Sequence, residues 1–365
     1  MQKHFDFLLL GGGPASVSAA ERLRAEGARG SILLVSDEVC VPYGRTYLSK
    51  QFLIGALPKE KLLIHSEAYY REQAIDLMLG VHVVTVDPTN RLVRTDRAGD
   101  IHFDKLLIAT GTQPIRPNIT GSTLPGIHYL HTLADAEALR QAAKKATRVV
   151  VLGGSFLGVE TATSLARMGS HVVLIEENDL LLSQLAAPEL SAFFSRFCSE
   201  RGIELRTGDT ASAFQGDSRV EAVATSSGDV FPGDLVVVAI GVTPDIGFLN
   251  DSGIQLGDGI LVDQHLETSE PGIFAAGDVA NFFDIVFKEQ RRIEHWDNAV
   301  KQGRLAAQNM LGRRVAYDEV SYFFCNILDL NFNFLGSTRE VDERISRGSL
   351  EDRSFTLFYL KNNVL

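Results

Sequence analysis

Two glycine-rich turns carry the residues in this sequence best suited to chemistry: GGGPAS, from Gly11 to Ser16, and GGSFLG, from Gly153 to Gly158. In the first, Gly11, Gly12 and Gly13 allow a tight bend and close backbone approach ahead of Pro14, Ala15 and Ser16; Ser16 stands where a third glycine would let helix meet strand. In the second, Gly153, Ser155 and Gly158 fill the three places, with Gly154, Phe156 and Leu157 between them. Serine in the middle place narrows the approach, although it is the smallest substitute for glycine. The chemistry such turns perform is capture of a pyrophosphate, because the unpaired N–H groups and positive dipole end of a helix face the anion.

That chemistry requires a buried strand before each turn and a helix after it, and the sequence supplies both. FDFLLL runs into Gly11, ASVSAAERLRAEGA follows as a helix, and SILLVSDE is a second buried strand ending at Asp37, placed to accept hydrogen bonds from a ribose. RVVVL, the helix after Ser155 and HVVLIEE repeat the pattern and end at Glu176. A carboxylate there welcomes a ribose 2′-hydroxyl and repels a 2′-phosphate; Glu177 adds to the repulsion, so the spacing predicts NADH rather than NADPH. KLLIATGTQP, a strand breaking at Ala109, Thr110 and Gly111, offers an exit from one domain, and DLVVVAIGVTP, with Gly241, offers the return. GIFAAGDV places Gly277 and Asp278 at the end of an apolar strand, where a carboxylate reaches a polyol or ribitol.

Composition limits the alternatives. The 365 residues predict two or three domains, and 45% hydrophobic with 22% charged content is that of a globular enzyme. A net charge of −11 argues against nucleic acid or an anionic membrane as the main partner. All of the deficit lies before Val286, the part from there on being net +1 with 12 Lys and Arg against 11 Asp and Glu, so the C-terminal part is the better place for an acidic protein to dock. Cys40, Cys198 and Cys325 form no CxxC pair, which disfavours a local redox disulfide and a cysteine-based zinc site; no metal is expected, and scattered thiols fit a cytoplasmic address. No run of 18 apolar residues and no secretory leader is read in the sequence.

Taken in order, these stretches resemble the pyridine nucleotide-disulfide oxidoreductase superfamily, and within it FAD-dependent ferredoxin reductases of the oxygenase type and apoptosis-inducing-factor-like flavoproteins. The resemblance implies an α/β fold of two Rossmann-like dinucleotide-binding domains plus a short C-terminal α+β domain, cut short at YLKNNVL. The expected division is an FAD domain over 1–113 and 243–316, an NAD domain over 114–242, and a partial dimerisation or reductase domain over 317–365. The family's Arg-Pro-Pro-Leu-Ser-Lys stretch reads RTYLSK here. By resemblance, Arg45 meets the FAD phosphates or ribityl chain, and Lys50 lies beside the flavin and pairs with Glu160 in FLGVE. An ammonium there would stabilise the negative charge that hydride transfer leaves on the ring. Val83 matches the valine whose backbone meets adenine, Gly241 the glycine of the nicotinamide channel, and Glu294, His295 and Trp296 of RIEHWDNA the segment under the flavin pyrimidine. Phe156 either covers the nicotinamide face or belongs to the core.

Departures from the family pattern are Thr46 and Tyr47 for the two prolines, His131 for an arginine that contacts FAD phosphate, and Phe324 in FFCN for a tryptophan near the flavin. The function implied is NADH-dependent transfer through FAD to a small iron–sulfur protein, a ferredoxin, Rieske-type protein or rubredoxin, or to a quinone-like acceptor. The alternatives are an NADH-responsive assembly protein, a coenzyme A disulfide reductase, for which Cys40 is off register by one, or an NADH oxidase; the shortened third domain points to a partner or homodimer covering its edge.

Overall fold

The computed structural model describes residues 3–338 and 340–365. They fall into two compact units. Unit 1 comprises the chain up to Gly44, Lys59–Gln113 and Thr243–Phe323; unit 2 comprises Arg45–Pro58, Pro114–Val242 and Phe324–Leu365. The chain therefore crosses between units beside the two glycine-broken strands singled out above. The RTYLSK segment and the tail from Phe324 group with the inserted unit.

In unit 1, the strand Lys3–Leu10 pairs in parallel with Ile32–Ser36 on one side and Asp100–Ile108 on the other. Ile75–Leu79 extends the first edge and Ile273–Ala275 joins Asp100–Ile108, while Leu92–Thr95 and Val83–Asp87 add antiparallel strands, seven in all. FLLL and ILLV are continuous apolar runs because both faces of these strands are covered: Leu8, Leu9, Leu10, Ile32 and Leu34 are wholly buried. The first-turn helix, Pro14–Ala25, starts at the proline, whose missing N–H is no loss at that position. It packs on the helix Trp296–Met310 so closely that a Cβ on Gly303 would lie 2.1 Å from the Ala15 carbonyl oxygen.

Unit 2 repeats the plan. Arg148–Leu152 pairs in parallel with His171–Glu176 and Leu235–Val238, with Glu204–Thr207 and Ile127–Tyr129 at the edges. The second-turn helix is Phe156–Arg167. Its hydroxyls at Thr161 and Thr163 bond back to carbonyls of the preceding turn, which lets polar side chains lie buried. Among the described residues, the tail from Tyr322 contributes only strands as regular elements: Tyr322–Ile327 with Leu330–Leu335, and Glu343–Ser349 with Ser354–Leu360. Alternating segments such as NFNFL and SFTLFYL favour strands rather than the helix an α+β domain would add. RTYLSK is not an open loop. It forms a 3-10 turn at Arg45–Tyr47 and a wide, π-type turn at Leu48–Phe52, with Lys50 at φ −120°, ψ −110°, outside helical geometry.

Gly303→Ala is expected to destabilise unit 1 by about 1–3 kcal/mol, the range for an intruding methyl in a packed interior. Denaturant unfolding followed by circular dichroism measures it, and an unchanged midpoint would show that the helix pair has room to separate.

Candidate active site

The first turn is built around a carbonyl. Gly11, at φ +110°, has the Ala109 carbonyl oxygen 2.2 Å from where its Cβ would be, and the Ala109 N–H donates to the Leu10 carbonyl at 2.8 Å. Gly12 is similarly pressed on the Ser36 hydroxyl, whereas Gly13, which begins the helix, faces nothing within 4 Å. No side chain caps this 12-residue helix. Ser16 is fully buried and its hydroxyl has no partner. An open cradle, uncapped N–H groups and an orphaned hydroxyl together fit the pyrophosphate of a dinucleotide.

Of the other unit 1 candidates, Ala109, Thr110 and Gly277 lie against that turn and its helix. Gly277, at φ +77°, sits against Ala15 and Ala299, and its N–H donates to buried Gln302 at 2.8 Å. Asp278 follows, its carbonyl accepting from Arg292 at 3.1 Å; Arg292 also holds Glu294 at 2.5 Å and Asp258 at 3.1 Å. Burial and then the Glu294 and Asp258 carboxylates act on Arg292, raising its pKa on balance. Trp296 lies beside Gly44. His295 packs on Phe323 at 4.3 Å between ring centres, with Nδ1 unpartnered. Burial first, and then Arg291, push its pKa down to about 4 against the pull of Asp297. Thr110 donates to the Asp245 carbonyl at 2.8 Å, and the Asp245 N–H returns to Gly111 at 3.0 Å. Burial, then nearby Asp37, raise the pKa of the Asp245 carboxyl. Asp37 itself is exposed at the strand end, and Val83 is buried in an edge strand next to a register shift.

In unit 2 the second turn copies the first. The Ala239 carbonyl oxygen lies 2.2 Å from the Cβ position of Gly153, at φ +101°. Ser155 starts a 12-residue helix without capping it, and Leu157 is half-buried in the first turn of that helix. Gly158 could not be anything else: a Cβ there would be 1.8 Å from the Gly153 carbonyl oxygen. Gly153, Gly154, Ser155, Glu176, Asn178 and Gly241 line a cleft of 290 Å³, near the low end of about 300–1,000 Å³ for small-molecule sites. Glu176 is fixed in its wall: one carboxylate oxygen accepts the Gly154 N–H, and the other accepts Asn178 from its backbone N–H at 2.9 Å and its amide at 2.5 Å. Gly241, at φ +114°, accepts from the Ile115 N–H at 3.0 Å. Phe156 stacks edge-on with Phe334 at 5.5 Å.

Unit 2 also brings together Lys50 and Glu160, 110 residues apart, with Nζ and Oε1 at 2.8 Å and side chains 15% and 9% exposed. Arg45 donates to the His131 carbonyl at 2.6 Å. Sequence reasoning missed the groups around Glu160. The Ser49 hydroxyl donates to Oε2 at 2.5 Å, the Cys325 thiol to Oε1 at 3.3 Å, and the Ser164 hydroxyl to the Ser49 carbonyl at 2.7 Å. Ser49 adjoins Lys50 and Ser164 lies one helical turn beyond Glu160, a spacing that could have flagged both; Cys325 has no local signal.

Residues 5–303 match the pyridine nucleotide-disulphide oxidoreductase family. The chain is 34% identical over 361 residues to the 5,5′-dehydrodivanillate O-demethylase ferredoxin reductase subunit of Sphingobium sp. strain NBRC 103272 / SYK-6, spanning 98% of this chain and 88% of that protein. Among solved structures it is similar to the ferredoxin reductase for the CYP199A2 system from Rhodopseudomonas palustris, with a TM-score of 0.95, 33% identity, and coverage of 98% and 89%. The covalent putidaredoxin reductase–putidaredoxin complex gives a TM-score of 0.94 at 31% identity, covering 99% and 87%.

Glu160→Ala would leave a part-buried ammonium without its counter-ion and is expected to cost about 3–5 kcal/mol, whereas Lys50→Met with Glu160→Gln costs less. Chemical denaturation of the variants tests this; equal stabilities would mean Lys50 escapes to solvent. His295 has a depressed folded pKa, so its contribution is intact above the unfolded value of 6.5 and is lost as pH falls from there through about 4. Replacing it with Gln should flatten the stability slope in that window, read from melting temperature against pH.

Proposed function

The chain belongs to the pyridine nucleotide-disulphide oxidoreductase family, as an FAD-dependent, NAD-linked ferredoxin reductase, and from that premise we propose that it passes electrons from NADH to a small iron–sulfur protein of ferredoxin or Rieske type. The observation that carries this reading is the pair of uncapped helix starts, each on a glycine turn pressed against a strand-end carbonyl, with a buried carboxylate closing only the second.

In this reading unit 1 holds FAD. Gly11 to Ser16 take the pyrophosphate, Asp37 and Val83 the adenosine end, Thr110, Gly111, Gly277 and Asp278 the ribityl chain, and Glu294 to Trp296 the ring edge. Unit 2 holds NADH across Gly153 to Gly158 and Gly241, with Glu176 selecting the 2′-hydroxyl. Bound FAD supplies the means to accept two electrons together and release them singly. Lys50 contributes a fixed positive charge, Glu160 sets its direction, and Arg45 and His131 border the same stretch of chain. An iron–sulfur acceptor is supported by the likeness to a reductase solved in covalent complex with putidaredoxin, and the sequence carries no CxxC pair for disulfide chemistry. The described residues include no helix long and apolar enough to cross a membrane; a cytoplasmic site of action belongs to the same proposal.

Anaerobic stopped-flow mixing tests it. NADH should bleach the flavin at least tenfold more efficiently than NADPH, and addition of a [2Fe–2S] ferredoxin should restore the oxidised spectrum. Glu176→Ala should raise the KM for NADH about tenfold, the loss of roughly 1.4 kcal/mol of binding. Purified protein that retains no FAD, or uses NADPH equally well, would refute the assignment.

A further inference from the structure

Glu160 accepts three hydrogen bonds, and only one comes from a cation. Lys50 Nζ and the Cys325 thiol share Oε1 at 2.8 and 3.3 Å, and the Ser49 hydroxyl holds Oε2 at 2.5 Å. Ser49 is itself fixed by the Ser164 hydroxyl, which comes from the same helix as Glu160. Cys325 is 3% exposed in the strand Tyr322–Ile327, so solvent does not compete for its proton. A thiol in such surroundings has three available uses: packing, nucleophilic or redox chemistry, or donation. Contact with a carboxylate argues against packing alone. Burial first, and then the Glu160 charge, raise the thiol pKa well above its ordinary value despite Lys50, which keeps the proton on sulfur and leaves a donor rather than a nucleophile.

We propose that Cys325 is a positioning residue for the Lys50–Glu160 pair: its S–H occupies one lone pair of Oε1, so that the ammonium is held along the other. The proposal rests on the reading that this pair serves the flavin reaction. It follows from the donor count, because a carboxylate in a part-buried site loses stability as an anion with each donor removed. Neither neighbour can replace the thiol. Ser49 is committed to the opposite oxygen, and Lys50 already has the shared one.

The test is the pH dependence of NADH-driven flavin bleaching in anaerobic stopped flow, compared for the wild type, Cys325→Ala, Cys325→Ser and Glu160→Gln. Cys325→Ala should move the acid limb upward by about half a pH unit or more, a roughly threefold or greater loss of rate on that limb with the plateau less affected. Cys325→Ser, which restores a donor, should return the limb to within about twofold of wild type. A Cys325→Ala profile superimposable on wild type, while Glu160→Gln moves it, overturns the proposal and leaves the role of the pair standing. A profile indifferent to Glu160→Gln as well overturns the reading beneath it, and the proposal with it. Should Cys325→Ala fail to fold, the infrared S–H stretch, assigned by its disappearance in Cys325→Ser, gives an independent answer: it should lie lower in the wild type than in Glu160→Gln, and an unmoved band is equally fatal.

Discussion

Both units depend on a backbone carbonyl passing through the space a side chain would need. Ala109 presses its oxygen on Gly11 and Ala239 presses its oxygen on Gly153, each 2.2 Å from the forbidden Cβ. The contact joins the turn after the first strand to the end of the neighbouring strand, and so ties two functions to one glycine. It opens the helix start to an anion, and it sets the strand from which the chain leaves for the other unit: Gly111 and Gly241 follow two residues after the pressing carbonyls, both at positive φ.

The second constraint is electrostatic. An ion pair as buried as Lys50 and Glu160 is weak evidence of stability, since removing two charges from water costs about as much as their attraction returns. What makes the arrangement tenable is the extra hydrogen bonding on the carboxylate, from Ser49 and Cys325, with Ser164 bracing Ser49. The pair therefore belongs to a network drawn from the RTYLSK turns, the second-turn helix and the tail. That dependence gives a physical reason for Arg45–Pro58 and Phe324–Leu365 to group with unit 2.

Legibility in the sequence followed the range of the interactions. The strand, turn and helix order of each nucleotide site was readable because continuous apolar runs, glycine spacing and acidic strand ends are all local. The Lys50–Glu160 pair spans 110 residues and was reached only through family likeness. Cys325, 165 residues from Glu160, gave no sign of this contact because one cysteine in a strand has no spacing to interpret. The turns of RTYLSK were not readable, since a single wide turn with Lys50 outside helical angles has no periodicity. The tail's hairpins were latent in its alternating aromatics, but an expectation of mixed structure obscured them.

The two turns are also unequal in a way their sequences only hint at. Gly158 is obligatory because a Cβ would collide with the Gly153 carbonyl, while the matching position in the first turn tolerates Ser16 with its hydroxyl buried and unpartnered. The middle positions reverse this: Gly13 faces open space and Ser155 adds a side chain at the helix start without capping it. Glu176 has already engaged the Gly154 N–H, removing one donor from the second turn. The first turn is thus left with more unsatisfied hydrogen-bonding capacity for a phosphate, and the second depends more on its carboxylate. In the proposed reading, discrimination between nucleotides belongs with Glu176, and phosphate capture with the open helix start at Gly13.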